Sequence, residues 1–156
     1  MGNWDNKFVE LSNWDKKFIT TCELVASWSK DNKKKVGAVI VDSDNRILST
    51  GYNGLPIGCN DNDESRFIKP KKNSFIVHAE TNAIFSCAKS GISTKGTTIY
   101  LTWYPCCDCC KAIIQSGISK IICYEPDWSD ESWGESFKFS KEMFDESNIE
   151  VIYINQ

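Results

Sequence analysis

Residues 97–124 read TTIYLTWYPCCDCCKAIIQSGISKIICY, and the order of elements in this stretch sets the fold class. Thr97 to Thr102 is rich in β-branched and aromatic side chains, which fit a pleated, buried surface and predict a strand. From Cys106 to Ser116 the residues Cys110, Ile113 and Ile114 share one helical face, and Gly117 stands where a helix stops. Lys120 to Tyr124 returns to strand chemistry. The stretch therefore predicts a strand, a helix and a strand in succession.

Working outward, the same periodicities recur. Ala83, Ile84, Cys87 and Ala88 form a helical stripe within Ala79–Ser90, ended by Gly91. Val36 to Val41 reads as a buried strand, Asp42 to Asn45 as a turn, and Arg46 to Tyr52 as the second arm of a hairpin. Between them and the next helix, residues 53–73 form a polar stretch punctuated by glycine and proline, which predicts a long loop. Downstream, Trp133 to Glu146 predicts a helix and Glu150 to Ile154 a last strand. Near the N-terminus, Trp14, Phe18, Cys22, Val25 and Ser29 trace a helix with Asn13 as its expected cap. Asn3–Phe8 nearly repeats as Asn13–Phe18, and residues 1–12 are expected to form an arm. Strands alternate with helices after an opening hairpin. The expectation is an α/β protein, a three-layer α/β/α sandwich around a central mixed five-stranded sheet, with residues 1–156 as one domain.

Composition narrows the function classes. In 156 residues, 41% are apolar and 25% charged, with six Trp, eight Phe and five Tyr, so a disordered chain is excluded. The aliphatic run Val36–Val41 is far too short to span a bilayer. A formal net charge of −3 argues against a broad nucleic-acid-binding face and for a small partner. Residues 1–5 carry no basic stretch followed by apolar residues, so a reducing, cytoplasmic setting is expected. In that setting eight cysteines point to metal, chemistry or buried thiols rather than to disulfides.

Four of the cysteines lie in Cys106-Cys107-Asp108-Cys109-Cys110, directly after Pro105. Cys106 and Cys109 are three apart, so on a first helical turn both sulfurs share a face, where the positive end of the helix dipole favours thiolates. The only histidine, His78, opens the preceding helix and is followed by Ala79 and Glu80. One imidazole and two thiolates make a three-ligand set that leaves the fourth tetrahedral position open, the arrangement of a catalytic zinc. Glu80 would then sit beside the metal without binding it, placed to carry protons. Cys107 and Cys110 offer a competing pair at the same spacing, and a lone C-x-x-C also fits a redox pair or half of a structural zinc site.

The pattern H-x-E followed by P-C-x-x-C marks zinc nucleobase deaminases. Beyond it, Trp14-Asp15, Trp28-Ser29-Lys30-Asp31, Lys35–Val41, Gly51-Tyr52-Asn53-Gly54-Leu55-Pro56, His78-Ala79-Glu80 with Asn82-Ala83-Ile84, Thr102 with Pro105-Cys106 and Cys109, Ile113–Ile118 and Trp133 with Glu135-Ser136-Phe137 follow in order. Together they resemble the deoxycytidylate (dCMP) deaminase family of the cytidine-deaminase-like fold, over residues 14–154.

The resemblance implies zinc-dependent hydrolysis of dCMP to dUMP and ammonia, in the supply of dTTP precursors. It implies one catalytic Zn2+ per chain on His78, Cys106 and Cys109, Glu80 as proton shuttle, and Asn53 and Ala79 against the substrate. A 5′-phosphate needs cationic or N–H donors, for which Lys33, Lys34, Lys35, Arg66, Lys69, Lys71 and Lys72 are candidates. Lys35 and Arg66 are singled out among them. A homo-oligomer (hexamer or dimer) and dCTP or dTTP as effectors are further implications, with no membrane and no nucleic acid as partner. A second, structural zinc built on additional histidines does not fit a chain whose one histidine is His78. Two other readings stand beside this one. The chain could deaminate another cytosine nucleotide or nucleoside, guanine or a transfer-RNA adenosine; or, in a different class, it could be a structural-zinc or redox module that binds a partner through its N-terminal Trp/Phe arm.

Overall fold

Successive strand residues point to opposite faces of a sheet, and in this chain both sets are apolar. Ala38, Ile40, Ile99, Leu101, Ile121, Cys123 and Tyr153 belong to one buried cluster, and Val39, Val41, Tyr100, Ile122 and Ile154 to another. A sheet with two apolar faces must be covered on both, and the computed structural model, which describes residues 10–154, shows how. Five strands, β1 (Gly37–Val41), β2 (Ile47–Tyr52), β3 (Thr98–Leu101), β4 (Lys120–Tyr124) and β5 (Glu150–Ile154), pair in the order β2-β1-β3-β4-β5. β1 is antiparallel to β2 and β3, whereas β3, β4 and β5 run parallel, so the sheet is mixed as expected.

Helix α1 (Asn13–Ala26) covers one face with Phe18, Ile19 and Cys22. After the short α2 (Lys71–Phe75), helices α3 (Ala79–Lys89), α4 (Cys107–Gln115) and α5 (Gly134–Glu146) cover the other, burying Ala83 and Cys87, Cys110 and Ile113, and Phe137 and Phe144. The three layers are those the sequence predicts.

Two glycines let helices approach the sheet closely. A Cβ on Gly37 would lie 2.1 Å from the Cys22 carbonyl oxygen in α1, and one on Gly51 would lie 2.3 Å from the Ala79 carbonyl oxygen in α3. Gly91 and Gly117, just past α3 and α4, have φ of +68° and +77°, the left-handed conformation that ends a helix.

Two expectations change in detail. The cap of α1 is Ser12, not Asn13. Its hydroxyl accepts the Asp15 N–H while the Asp15 carboxylate accepts the Ser12 N–H, a reciprocal capping box. The stretch 53–73 is not all loop, since it contains a 3-10 turn at Glu64–Phe67 and leads into α2. Of the expected arm, Leu11 packs against the cluster under α1, whereas the first copy of the tandem, Asn3–Phe8, lies outside the described residues. No helix among the described residues is long and apolar enough to cross a membrane.

Candidate metal centre and its cavity

The end of β3 leads through residues 102–105 to Cys106, which holds the N-cap position of α4, and His78 holds the N-cap position of α3. Neither residue caps its helix with its side chain, so both side chains are free to turn toward one another at two helix N-termini. Cys109, in the first turn of α4, joins them, and the ligand atoms of His78, Cys106 and Cys109 all lie within 4.8 Å of one another. The His78 Nδ1 stands 3.5 Å from Cys106 Sγ and 3.4 Å from Cys109 Sγ. Zn–N and Zn–S bonds of ~2.0 and ~2.3 Å at a tetrahedral angle place nitrogen and sulfur about 3.5 Å apart, so the donor set fits zinc through Nδ1. Cys110 does not compete, because it is fully buried and its Sγ donates to the Ser140 carbonyl of α5.

Glu80 is 3% exposed, in the first turn of α3, and its Oε2 accepts from Cys109 Sγ at 3.5 Å. Burial pushes its carboxyl up to about 7. Cys106 is shifted the other way, down to about 4, by the hydrogen bond from Cys109 and then by His78, while the Cys109 thiol is pushed up as that bond's donor. The site therefore favours ionisation of one thiol and opposes that of the buried carboxyl.

Above this floor opens a cavity of about 370 Å³. It is lined by the apolar Val36, Ile76, Ala79, Trp103 and Trp133 and by the charged Asp31, Lys33, Lys34, Lys69 and Lys72. The Trp133 ring meets the His78 imidazole edge-on, with centroids 6.1 Å apart, and stacks on Phe137 of α5. Asn53 also lines the cavity, but its amide is largely engaged within the protein. Oδ1 accepts the Val36 N–H at 2.8 Å, and Nδ2 donates to the Lys34 carbonyl at 2.9 Å and to Asp31 Oδ2 at 3.3 Å. Both N–H donors are used, and one acceptor lone pair remains.

The structure thus brings His78, Ala79, Glu80, Cys106, Cys109 and Asn53 together. It does not bring Lys35 or Arg66 to the cavity. The Lys35 Nζ lies 3.4 Å from the Ser27 carbonyl oxygen, and Arg66 pairs with Asp63 at 3.3 Å and lies over the Phe75 ring. The aromatic walls Trp103 and Trp133 come from two loops with no shared periodicity, and sequence reasoning does not find their common role. Asp31 carried one signal, an acid followed by three lysines before a buried strand.

Residues 12–125 match the sequence profile of the cytidine and deoxycytidylate deaminase zinc-binding region. A probable deoxycytidylate deaminase of Drosophila melanogaster is 40% identical over 159 residues, covering 95% of this chain and 70% of the fly protein. The deoxycytidylate deaminase of Homo sapiens is 41% identical over 105 residues, covering 64% of this chain and 57% of the human protein. Among solved structures, the dCMP deaminase of the cyanophage S-TIM5 in complex with dCMP and dUMP is similar with a TM-score of 0.73 at 28% identity, covering 93% of this chain and 100% of the phage chain.

Proposed function

The chain belongs to the cytidine and deoxycytidylate deaminase family, and from that premise we propose that it hydrolyses dCMP to dUMP and ammonia. The observation that carries the proposal is the buried Glu80 beside the His78, Cys106 and Cys109 donor set, at the floor of a cavity large enough for a nucleotide. The similarity to a phage enzyme solved with dCMP and dUMP supports the choice of base and sugar.

The Nδ1 of His78 and the sulfurs of Cys106 and Cys109 would hold the zinc, which when bound supplies a Lewis acid that makes water nucleophilic at neutral pH. Glu80 accepts a proton from the water that attacks C4 and delivers it to N3 of the cytosine ring. It then moves a second proton to the 4-amino nitrogen, which departs as ammonia and leaves the C4 carbonyl of uracil. A carboxyl near pKa 7 suits both accepting and donating. Trp103, Trp133, Ile76 and Ala79 line the cavity, and there they would exclude water from the faces of the bound base. The lone pair left on Asn53 Oδ1 accepts from a sugar hydroxyl.

A structural-zinc or redox module gives the buried Glu80 no task. Family membership supports further proposals, namely a homo-oligomer, dCTP and dTTP as effectors, a cytoplasmic setting and one deaminase domain. Exposed Trp28 and Tyr52, packed edge to face at the end of edge strand β2, support the oligomer. Ammonia release from a panel of cytosine nucleosides and nucleotides tests the central reading. The expected outcome is fastest release from dCMP, and release from none would overturn it.

A further inference from the structure

The cations that line the cavity differ in what already holds them. Lys72 of α2 pairs with Asp31 at 2.5 Å, and Asp31 is 1% exposed. The same carboxylate accepts the N–H groups of Lys33 and Lys34. The charge of Lys72 is therefore matched within the protein, and its task is to tie α2 to the loop before β1. Lys33 and Lys69 are exposed, and among the described residues no hydrogen bond or ion pair fixes their ammonium groups. Lys35 and Arg66 are turned to other partners.

Lys34 is different. Its Nζ lies 3.2 Å from the centroid of the Trp103 ring, and both residues line the cavity that ends on Glu80 and Cys106. Among the described residues no carboxylate stands within ion-pair distance of it. Asp130, the acid whose charge bears on Lys34, has its Oδ1 occupied by the N–H groups of Ser132 and Trp133, both at 2.8 Å. The indole face takes one side of the ammonium and leaves N–H donors free for an anion. Such a lysine is fixed in place and has no carboxylate in direct ion-pair contact among the described residues.

We propose that Lys34, held by Trp103, reads the 5′-phosphate of the substrate and so determines that the cavity prefers a nucleotide to a nucleoside. The proposal rests on the deaminase reading above. A phosphate there forms a charge-assisted hydrogen bond to Nζ beside an apolar ring, where it is less screened than in open water. Lys72 does not contribute, because an anion drawing it away would leave the buried Asp31 carboxylate unpaired.

The test is kcat/KM for dCMP and for deoxycytidine, two substrates that differ only in the phosphate, on the wild type, Lys34→Met, Lys34→Arg and Lys69→Met. Taking the ratio of the two values within one preparation cancels any loss of folded protein. Lys34→Met is expected to lower the dCMP-to-deoxycytidine ratio about tenfold to a hundredfold, the range for hydrogen bonds to charged groups, chiefly through KM for dCMP. Lys34→Arg should restore most of that ratio. An unchanged ratio in Lys34→Met, or an equal fall in Lys69→Met, overturns the assignment while leaving the deaminase reading intact. A wild type that releases ammonia from neither substrate overturns the deaminase reading itself.

Discussion

Glu80 stands where two demands conflict, since a shuttle has to ionise and burial opposes ionisation. Its raised pKa is the outcome of that conflict, and it separates catalysis from metal scaffolding. Glu80→Gln keeps the shape of the side chain and its hydrogen bonds but cannot take a proton from water. General acid–base groups contribute about 10²–10⁴-fold, and this one serves both the attack and the departure of ammonia. The expected loss in kcat is at or above the top of that range, with zinc content per chain near that of the wild type. Zinc lost together with activity would make Glu80 a ligand. A zinc-loaded variant with more than about a tenth of wild-type turnover would falsify the shuttle. Asn53 is the counterpart, a polar residue whose cavity role is narrowed by its own structural duties. Its two N–H donors hold Asp31 and the Lys34 carbonyl, so toward substrate it acts as acceptor only.

The catalytic set depends on how elements meet, above all on α3 crossing β2. A Cβ on Gly51 would stand 2.3 Å from the Ala79 carbonyl oxygen and 2.5 Å from the Ala83 backbone nitrogen, both in the helix that His78 caps and that carries Glu80. Backbone atoms cannot yield as a flexible side chain does, so Gly51→Ala must push α3 off the sheet. The expected cost is about 1–3 kcal/mol, or several degrees in Tm, with a fall in kcat because His78 and Glu80 move together. Gly54→Ala is the control, since a Cβ there meets only the Tyr52 ring at 3.5 Å and 3.8 Å. Equal stability of the two variants would refute the packing argument.

Elements of this kind were legible in unequal measure. Lys120–Tyr124 and Glu150–Ile154 emerge as predicted, because a β-branched run between polar flanks has one way to be buried. The motif around Cys106 was legible because metal ligation imposes spacing within one helical turn. The cap of α1 shifted by one residue because Ser12 and Asn13 are both good caps, and only Ser12 has an acid three residues on. The cavity walls were not legible. Trp103 and Trp133 line it from segments distant in sequence, and whether a lysine faces the cavity, Ser27 or Asp31 is decided by packing that no local pattern records.

At the scale of the whole molecule, the donor set joins two helices that are distant in sequence and lie in the same layer over the sheet. The unfolded chain does not hold His78, Cys106 and Cys109 in one place, so zinc binding favours the folded state by linkage. A ligand present at a hundred times its dissociation constant adds ~2.7 kcal/mol, and for a chain of this size each kcal/mol moves Tm by about 2–4 °C. Removing zinc with a chelator under reducing conditions should therefore lower the Tm of the wild type by about 5–10 °C. The same treatment should leave the Tm of Cys106→Ala and Cys109→Ala nearly unmoved, because those proteins have no intact site to empty. Cys107→Ala should keep the full chelator shift, since the pair that meets the imidazole is Cys106 and Cys109. Glu80→Gln should keep it too, because its carboxylate is not among the donors. If Cys107→Ala abolished the shift while Cys109→Ala retained it, the ligands would be one residue out of register and α4 would have to be rotated on the sheet. Because the readout is a melting temperature, it tests the metal centre without reference to turnover, and a dead enzyme with an intact centre is distinguished from one that never held zinc.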